Sequence, residues 1–311
     1  MAPAPGDRVS TPAVSVVLAT RNQARWLADT IASVQAQTVS DWELVIVDDG
    51  STDDTPAVAA RFGGDHRIRY LRGAHRERAV ARNWGVATAT APLLAFLDGD
   101  DRWHPRKLAA QRAALTAAPA APLCYTVARF VDPQGRFLGH CKPSRLERGD
   151  VFAALARANF LILSSVVVRR AAFERAGGFD EGLAPLGCED WDLWLRLALQ
   201  GPVVAVPEPL TDYRVHGANT AREQVLQSAL TVIDKLFADP TLGARTGTSR
   251  AAVRARHLWY HAASLAASSS HEARRTAATA LREAPASLFT RAALGALGAL
   301  VGARVNRRAL R

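Results

Sequence analysis

The sequence has few residues that could cross-link the fold or form a thiolate metal site. Its 311 residues include three cysteines, Cys124, Cys141 and Cys188, with no C-x-x-C spacing and no nearby pair of histidines. A disulfide framework takes an even set of cysteines, and a zinc site takes clustered Cys and His ligands. Neither is predicted, and a reducing cytoplasm fits this composition best.

Targeting and membrane-spanning patterns are also missing. Residues 1–13 contain Pro, Gly and charged residues, where a secretory signal would have a basic start and about 7–15 apolar residues. We expect residues 1–12 to form a short flexible arm. The apolar stretch Ala292–Ala303 has 12 residues, whereas a helix needs about 20 to cross a bilayer.

A glycine-rich phosphate loop is absent after the first apolar run, residues 14–19. The next six residues, Thr20-Arg21-Asn22-Gln23-Ala24-Arg25, include no glycine. A dinucleotide-dependent oxidoreductase would have G-x-G-x-x-G at this point. A sugar nucleotidyltransferase would also need a Gly-rich loop, through which backbone N–H groups approach phosphate. The segment therefore argues against both classes.

Acidic residues are scarce at the end of the chain. From Thr241 onward there are 12 Arg and 2 acidic residues, whereas the preceding part has 27 basic and 27 acidic residues. The net charge of +10 therefore arises entirely in this C-terminal tail. A charge excess confined to one segment is typical of an interaction tail or of a solvated helix face.

The first hundred residues alternate between strand-like and helix-like segments. Four short apolar runs have the character of buried strands: residues 14–19, 44–47, 68–71 and 93–97. The helix between the first two has one apolar face: Trp26, Leu27, Ile31 and Val34. This alternation predicts a parallel sheet, whose ligands bind at the carboxyl ends of the strands. Two acidic clusters, residues 48–49 and 98–101, directly follow strands, so we expect a ligand crevice there.

The rest of the chain has a looser pattern. Its strand-like segments are residues 123–137, with a Pro-Gln-Gly turn, and residues 161–168. Its helix-like segments are a stretch ending near Ala117 and residues 190–199, 257–280 and 291–311. After about Ala221 the chain is rich in Ala, Arg and Leu, and we expect it to be helical.

The second acidic cluster has the composition of a divalent-metal site. Asp98, Asp100 and Asp101 place three carboxylates within four residues after an apolar strand. Carboxylate oxygens are hard ligands that suit Mg²⁺ or Mn²⁺, and these ions also contact phosphate oxygens. A calcium EF-hand is a poor match, because its conserved glycine would be Trp103 and its bidentate glutamate Ala109. A solvated acidic turn is the alternative, and the position after a strand favours the metal site.

The first acidic cluster, Asp48-Asp49-Gly50-Ser51, has two interpretations that stay open together. Asp and Gly are common turn residues, and Thr55-Pro56 is a helix start by itself. A carboxylate at the end of a second strand can also accept a hydrogen bond from the N–H of a nucleotide base. Turn chemistry does not explain why a second acidic loop lies at the end of a second strand.

Five segments resemble, in order and spacing, the nucleotide-binding half of family 2 glycosyltransferases. They are Val14–Asn22, Ile31–Thr38, Val47–Asp53, Ala81–Gly85 and Leu97–Asp101. The resemblance continues through residues 177–180, 189–196 and 213–216, so it covers about residues 12–220.

The resemblance implies an α/β fold of the GT-A type, with a mostly parallel sheet, flanking helices and a helical C-terminal extension. The catalytic domain would be residues 13–220, with a nucleotide-binding half at 13–103 and an acceptor-side half at 104–220. A basic helical region, residues 221–311, would follow. The implied activity is transfer of a sugar, with inversion, from a nucleotide-sugar to an acceptor hydroxyl in cell-surface polysaccharide or glycolipid synthesis. UDP is the commonest nucleotide, and the acceptor would be a saccharide or a lipid-linked molecule.

The resemblance also gives roles to individual positions. The nucleotide-sugar would contact six residues: Thr20, Asn22, Asp49, Arg82, Asp98 and His216. Among them Asp49 would contact the base, Asp98 would lie near the ribose, and Arg82 and His216 would face the diphosphate unless they are structural. Asp100 would ligate Mg²⁺ or Mn²⁺. Arg21 departs from the family, which frequently has an aromatic residue there, so a different nucleotide contact is expected.

Asp190 is implied as the general base. An acceptor hydroxyl must lose its proton and the leaving diphosphate must be neutralised, and Asp190 and the metal would meet these two needs. Glu189 and Asp192 are rival bases, and stabilisation of the helix N-terminus is the structural alternative. A catalytically silent nucleotide-sugar-binding or scaffold protein is the alternative function, and the presence of Asp98, Asp100 and Asp190 together argues against it.

The last helix combines apolar and basic positions: Leu294, Leu297, Leu300, Val301, Arg304, Arg307 and Arg308. A basic helix with an apolar face is consistent with peripheral attachment to an anionic membrane. Packing on the protein with a solvated Arg face is the other alternative, and both stay open. The charge lacks interleaved aromatic residues, so no nucleic-acid partner is predicted. The expected location is cytoplasmic, at the inner face of the membrane if the tail binds it.

Overall fold

The computed structural model describes residues 11–141, 146–183, 187–217, 222–266 and 268–309, with side chains for all of these except 141, 222, 270 and 301–309. All but residues 11 and 12 of the predicted N-terminal arm lie outside this set. The chain forms two compact units. The first extends to Asp150 and includes Phe160–Ala184 and Arg196–His216. The second consists of Val151–Asn159, Pro185–Leu195 and Gly217–Arg311.

The first unit is built around one mixed sheet. Its strands are β1 (Val14–Thr20), β2 (Trp42–Asp48), β3 (Ile68–Arg72), β4 (Leu93–Asp98), β5 (Arg102–Trp103), β6 (Leu123–Val131), β7 (Phe137–Cys141), β8 (Val166–Arg169) and β9 (Val204–Arg214). Their order is β3-β2-β1-β4-β8-β6-β9-β5, and β7 pairs with β6. The first four strands are mutually parallel, which confirms the prediction from alternation. β8 is antiparallel to both β4 and β6.

Among the described residues, five α-helices lie wholly in the first unit: α1 (Ala24–Gln35), α2 (Thr55–Ala60), α3 (Arg78–Thr88), α4 (Lys107–Ala117) and α6 (Arg170–Arg175). Strands β1 and β2 are buried along their whole length. Parallel strands are apolar throughout because helices cover both faces of the sheet. The predicted apolar face of α1 is confirmed, since Leu27, Ile31 and Val34 join the core formed with β1 and β2.

The second unit is helical. It contains α5 (Phe152–Arg157), the first part of α7 (Glu189–Ala198), α8 (Arg222–Ala238), α9 (Pro240–Arg245), α10 (Arg250–Leu265), α11 (Ser270–Glu283) and α12 (Arg291–Ala309). Its core is rich in alanine, with Ala262, Ala280, Ala293 and Ala296 buried around Trp259. Small side chains let these helices pack closely, so the core of this unit forms with few large side chains.

One helix prediction is wrong. Residues 257–280 do not form a single helix, because α10 ends at Leu265 and α11 begins at Ser270. The Ser269 side chain accepts a hydrogen bond from the backbone N–H of Glu272, which makes Ser269 the N-cap of α11. A serine run offers the backbone such local partners in place of a continuing helix.

Candidate active site

The carboxyl ends of three neighbouring strands bring the predicted donor-site segments together. In the sheet register Thr20 of β1 pairs with Asp48 of β2, and Ala19 of β1 pairs with Asp98 of β4. Both acidic clusters therefore lie at one edge of the sheet, on either side of the loop that follows β1.

The first acidic loop, residues 48–53, is folded onto the segment 73–77. The Asp49 carboxylate accepts hydrogen bonds from the backbone N–H groups of Arg76 (2.8 Å) and Glu77 (3.0 Å) and lies 2.6 Å from Nδ1 of His75. Gly50 has φ +76°, and a Cβ there would lie 2.8 Å from the backbone N of His75. Only glycine fits this contact. With three partners already present, the Asp49 carboxylate has about one of its roughly four acceptor positions left for a nucleotide base.

Asp48 is the buried anchor of the same loop. Its carboxylate accepts hydrogen bonds from the backbone N–H of Ser51 (2.8 Å) and from the hydroxyl of Tyr70 (2.5 Å). Burial, and then the neighbouring Asp48, raise the pKa of the Tyr70 phenol. Asp48 therefore fixes the turn, and Asp49 is the carboxylate nearer to the segment 73–77.

The loop after β1 is fastened to the first acidic loop. The carbonyl of Thr20 accepts from the backbone N–H of Asp49 (2.9 Å), and Oδ1 of Asn22 accepts from the backbone N–H of Thr52 (2.8 Å). Asn22 has φ +53°, a conformation that Asn tolerates better than most residues. The structure thus brings Thr20 and Asn22 to the first acidic loop, which carries Asp49.

The second acidic loop, residues 98–103, contacts two of the other predicted residues. Nη2 of Arg82 donates to Oδ1 of Asp98 at 2.7 Å, and Nε2 of His216 lies 2.8 Å from Oδ2 of Asp100. Arg82 is buried, with its guanidinium 5.6 Å from the ring centroid of Phe179. The residues expected to face a diphosphate therefore lie beside the two carboxylates expected near the ribose and the metal.

Asp101 is the most buried carboxylate of this loop, at 1% exposed against 8% for Asp100. It accepts hydrogen bonds from the Ser164 hydroxyl (2.5 Å) and from the backbone N–H of Arg214 (2.9 Å). Nε of Arg214 also donates to the backbone carbonyl of Asp100 at 2.8 Å. Burial, followed by the charges of Asp100 and Asp98, raises the pKa of Asp101 well above its usual value. Asp101 is thus an anchor of the loop.

Gly99 lets the second loop pack closely against β1 and α1. A Cβ at this position would lie 2.6 Å from Oγ1 of Thr20 and would also clash with the Gln23 side chain. The carbonyl of Gly99 accepts a hydrogen bond from Oγ1 of Thr30 at 3.0 Å. A larger residue would push the carboxylates on either side of Gly99 out of position.

Trp26 contributes to the site, although the sequence pattern predicts it only as a core residue. Its ring stacks on the His216 imidazole with 4.1 Å between centroids and an interplanar angle of 23°. The signal that could have found it is its place in the first turn of α1, directly after a strand end that carries site residues. The stack fixes the plane of the imidazole beside Asp100.

Asp100 has the carboxylate oxygens that suit Mg²⁺ or Mn²⁺. Within the described residues, no group of three or more His, Cys, Asp or Glu side chains is placed to hold a metal ion. A magnesium-like ion at a nucleotide site takes one or two carboxylates and completes its shell with water and substrate phosphates. The single carboxylate of Asp100 fits such a shared site.

Asp190 belongs to the second unit, whereas the other seven predicted site residues belong to the first. It lies in the first turn of α7, where its Oδ2 accepts from Nδ2 of Asn159 at 3.1 Å. The rival bases Glu189 and Asp192 are buried, and Asp192 pairs with Nζ of Lys235 at 2.7 Å. Asp190 is partly exposed, so it is the most accessible carboxylate of the three.

Several known proteins with similar sequences are named as glycosyltransferases. The model of glycosyl transferase family 2 matches residues 15–177, more than half of the chain. A glycosyltransferase of Nostoc sp. (strain PCC 7120), itself uncharacterized, is 30% identical over 219 residues, which cover 66% of each chain. The putative glycosyltransferase EpsE of Bacillus subtilis is 30% identical over 195 residues, covering 62% of this chain and 69% of EpsE. The chain spans 33% of the length of a Rickettsia conorii relative that is 28% identical.

Solved structures share the fold at low sequence identity. Residues 1–349 of S. aureus TarS in complex with UDP-GlcNAc align with a TM-score of 0.64 and 15% identity, covering 96% of this chain and 92% of that one. The mannosyltransferase PcManGT from Pyrobaculum calidifontis in complex with GDP-Man and Mn²⁺ aligns with a TM-score of 0.61 and 21% identity, covering 94% and 86%. The fold of this protein is the predicted GT-A type, with its acidic loops at the strand ends. The chain belongs to glycosyl transferase family 2.

Proposed function

We propose that this protein is an inverting glycosyltransferase that moves a sugar from a nucleotide-sugar to an acceptor hydroxyl. The observation that carries the proposal is the pairing of Arg82 with Asp98 and of His216 with Asp100 on one loop. A nucleoside diphosphate needs cationic partners, and a shared metal ion needs a carboxylate beside them. The second acidic loop supplies the carboxylates, and Arg82 and His216 beside it supply the nitrogen donors.

The donor is proposed to be a UDP-sugar bound along the loops after β1, β2 and β4. Thr20 and Asn22 would line the cleft, Asp49 would accept a hydrogen bond from the base, and Asp98 would lie near the ribose. The hydrogen bonds from the backbone N–H of Asp49 to Thr20 and from that of Thr52 to Asn22 support a common binding surface. The solved relatives are named with UDP, UDP-GlcNAc or GDP-Man, so GDP is the other nucleotide to test.

Mg²⁺ or Mn²⁺ is proposed to bind at Asp100, with His216 facing the metal-bound diphosphate. When bound, the ion supplies positive charge to a diphosphate that gains negative charge as it leaves. The chain's own contribution is to hold the two side chains in place. Trp26 orients the imidazole by stacking, and Arg214 fixes the backbone of Asp100.

Asp190 is proposed to take the proton of the acceptor hydroxyl. The acceptor oxygen would then bond to the anomeric carbon while the bond to the nucleoside diphosphate breaks on the opposite face, which inverts the configuration. The partial exposure of Asp190 supports this role, because Glu189 and Asp192 are buried and Asp192 is engaged by Lys235. The side-chain amide of Asn159 would orient Asp190, the general base.

The acceptor is proposed to be a saccharide or lipid-linked molecule at the cytoplasmic face of a membrane. None of the described helices has the length and apolar content to cross a bilayer. Ala292, Ala293 and Ala296 of α12 are buried in the second unit, whereas Phe289 is 86% and Leu294 62% exposed. These exposed side chains support peripheral contact with lipid. The predicted roles of Val301, Arg304, Arg307 and Arg308 lie outside the described side chains.

A screen of nucleotide-sugars tests the proposed activity. The protein is incubated with UDP- and GDP-sugars in the presence of Mn²⁺, and release of the nucleoside diphosphate is followed with and without acceptor saccharides. We expect one donor to be turned over, and NMR of the product to show an inverted anomeric configuration. Binding of a donor with no turnover for any acceptor would instead support the silent nucleotide-sugar-binding protein.

A further inference from the structure

Ser164 contacts three points of the second acidic loop. It is fully buried in the short helical turn Leu163–Ser165. Its Oγ accepts a hydrogen bond from the backbone N–H of Asp98 (3.1 Å) and donates one to Oδ2 of Asp101 (2.5 Å). Its backbone carbonyl accepts from Nε1 of Trp103 at 2.7 Å. One residue thus holds the beginning, the middle and the end of the loop.

The other partners of the loop act over a shorter span. Arg214 holds the middle, through the Asp101 carboxylate and the Asp100 carbonyl. Thr30 holds Gly99 through its carbonyl. Ser164 is the residue that connects the end of β4 to the start of β5, because its hydroxyl is bonded at Asp98 and its carbonyl at Trp103.

A hydroxyl suits this place because it accepts and donates at the same time. The N–H of Asp98 needs an acceptor, and the buried Asp101 carboxylate needs a donor. Alanine would leave both groups without this partner inside the protein. The backbone between Asp98 and Asp101 carries Asp100, so a shift of either end turns the Asp100 carboxylate.

We propose that Ser164 is a positioning residue of the metal site, which sets the affinity for the divalent ion by fixing the second acidic loop. This inference rests on the proposed function, in which Asp100 ligates the ion. Ser164 acts through the backbone and through Asp101. Loss of such outer partners typically weakens metal binding by about 10–100-fold.

The test compares two buried serines from the same turn. Ser165 is also buried, but its Oγ donates to the carbonyl of Ile162, within the turn itself, at 2.6 Å. Binding of Mn²⁺ is measured by electron paramagnetic resonance with saturating UDP, for the wild type, Ser164→Ala and Ser165→Ala, and thermal unfolding is recorded for each. We expect Ser164→Ala to raise the Kd for Mn²⁺ by about tenfold or more. Ser165→Ala should leave the Kd for Mn²⁺ within about twofold of the wild-type value. It should lower the Tm by about as much as Ser164→Ala does.

A second variant keeps the test decisive if Ser164→Ala does not fold. Trp103→Phe retains an aromatic ring but removes the N–H that donates to the Ser164 carbonyl, so it should raise the Kd for Mn²⁺ by a smaller factor. Equal Mn²⁺ affinity in Ser164→Ala and wild type, or equal losses in the two serine variants, would overturn the positioning role alone. A wild type that does not bind Mn²⁺ with either UDP or GDP would overturn the proposed metal site, and the role of Ser164 with it.

Discussion

The two units hold their acidic residues by different kinds of contact. In the first unit, Asp49 and Asp101 accept hydrogen bonds from backbone N–H groups of remote segments, those of Arg76 and Arg214 among them. In the second unit, Asp190 and Asp192 lie in the first turn of α7 and interact with the side chains of Asn159 and Lys235. Asp49 and Asp101 are thus held by backbone groups of remote segments, whereas Asp190 and Asp192 are held by remote side chains.

From this difference we infer that the two units have different functions. Several remote contacts hold a strand-end loop in one conformation, which suits the binding of a nucleotide and a metal ion whose geometry is fixed. A partly exposed carboxylate at a helix start can reach an acceptor that varies in position. We therefore expect binding to depend on the first unit and proton transfer on the second. The predictions below test this division from the largest effect to the smallest.

The largest effect is expected from Asp190→Asn. The amide keeps the shape of the side chain but cannot take a proton, so transfer should fall by about 10²–10⁴-fold, the scale of general base catalysis. Donor binding should persist, because the donor-site loops lie in the first unit. The measurements are product formation and nucleotide-sugar binding by calorimetry.

Asp192→Asn is the matched control for this base. Asp192 is buried and paired with Lys235, so its substitution should change stability more than transfer. Near-normal transfer by Asp190→Asn would move the base to another residue. Loss of donor binding in Asp190→Asn would contradict the division between the units.

Asp100→Ala should have the next largest effect, on binding. Removal of a ligand should weaken metal-dependent nucleotide binding by at least about 10²-fold, more than the loss of an outer partner. Calorimetric titration of UDP with and without Mn²⁺ measures this change. The exposed Asp54, substituted by Asn, is the control for loss of one negative charge. Full activity of the wild type in excess EDTA would defeat the metal prediction.

Lys107 of the first unit and Lys235 of the second differ in burial. This difference predicts how the free energy of unfolding depends on pH. Lys107 is buried, with Nζ 2.7 Å from Oε1 of Gln111 and 4.0 Å from the ring centroid of Trp103, whereas Lys235 is 43% exposed. Burial lowers the pKa of Lys107 from 10.5 to about 7. Between pH 10 and 7 the unfolded chain therefore binds a proton that the folded state does not bind. The free energy of unfolding should decrease as the pH falls through this window, by an amount on the order of 3–4 kcal/mol.

Lys107→Met should remove most of this slope. We expect the free energy of unfolding of the variant, relative to the wild type, to be higher at pH 7 than at pH 10 by a few kcal/mol. Urea denaturation at the two pH values and constant salt measures it. Lys235→Met should keep the slope of the wild type. Identical slopes for wild type and Lys107→Met would show that Lys107 keeps an ordinary pKa.

The smallest effect is expected at the start of α12. Deletion of this helix is a poor test, because Ala293 and Ala296 belong to the core of the second unit. The variant Phe289→Ser with Leu294→Ser leaves that core intact and should lower binding to phosphatidylglycerol vesicles at low salt by about tenfold, as apolar burial is lost. Leu138→Ser, at a 59% exposed position of β7, is the control in the first unit. Unchanged vesicle binding, or no binding by the wild type, would reject lipid contact by this surface.

The sequence predicted the elements of the fold better than the partners within the site. The first four strands, α1 and the helical C-terminal region are confirmed, because each is specified by apolar periodicity over neighbouring residues. The single helix at 257–280 failed, because the capping preference of Ser269 outweighed the helix propensity around it. His75, Ser164 and Trp26 were not predicted as site residues. Each contacts a partner that is distant in the sequence, so neighbouring residues do not specify which partner it is.

By itself the sequence determined that two acidic loops follow parallel strands, and it determined the family. Apolar runs and short acidic turns are local features, so they can be identified without knowledge of the fold. Tertiary structure decided which carboxylates are anchors and which lie beside cationic partners. Asp100 and Asp101 are the same residue type at adjacent positions, and their difference arises from remote residues: Ser164 and the backbone N–H of Arg214 hold Asp101 by hydrogen bonds, whereas Asp100 lies against His216.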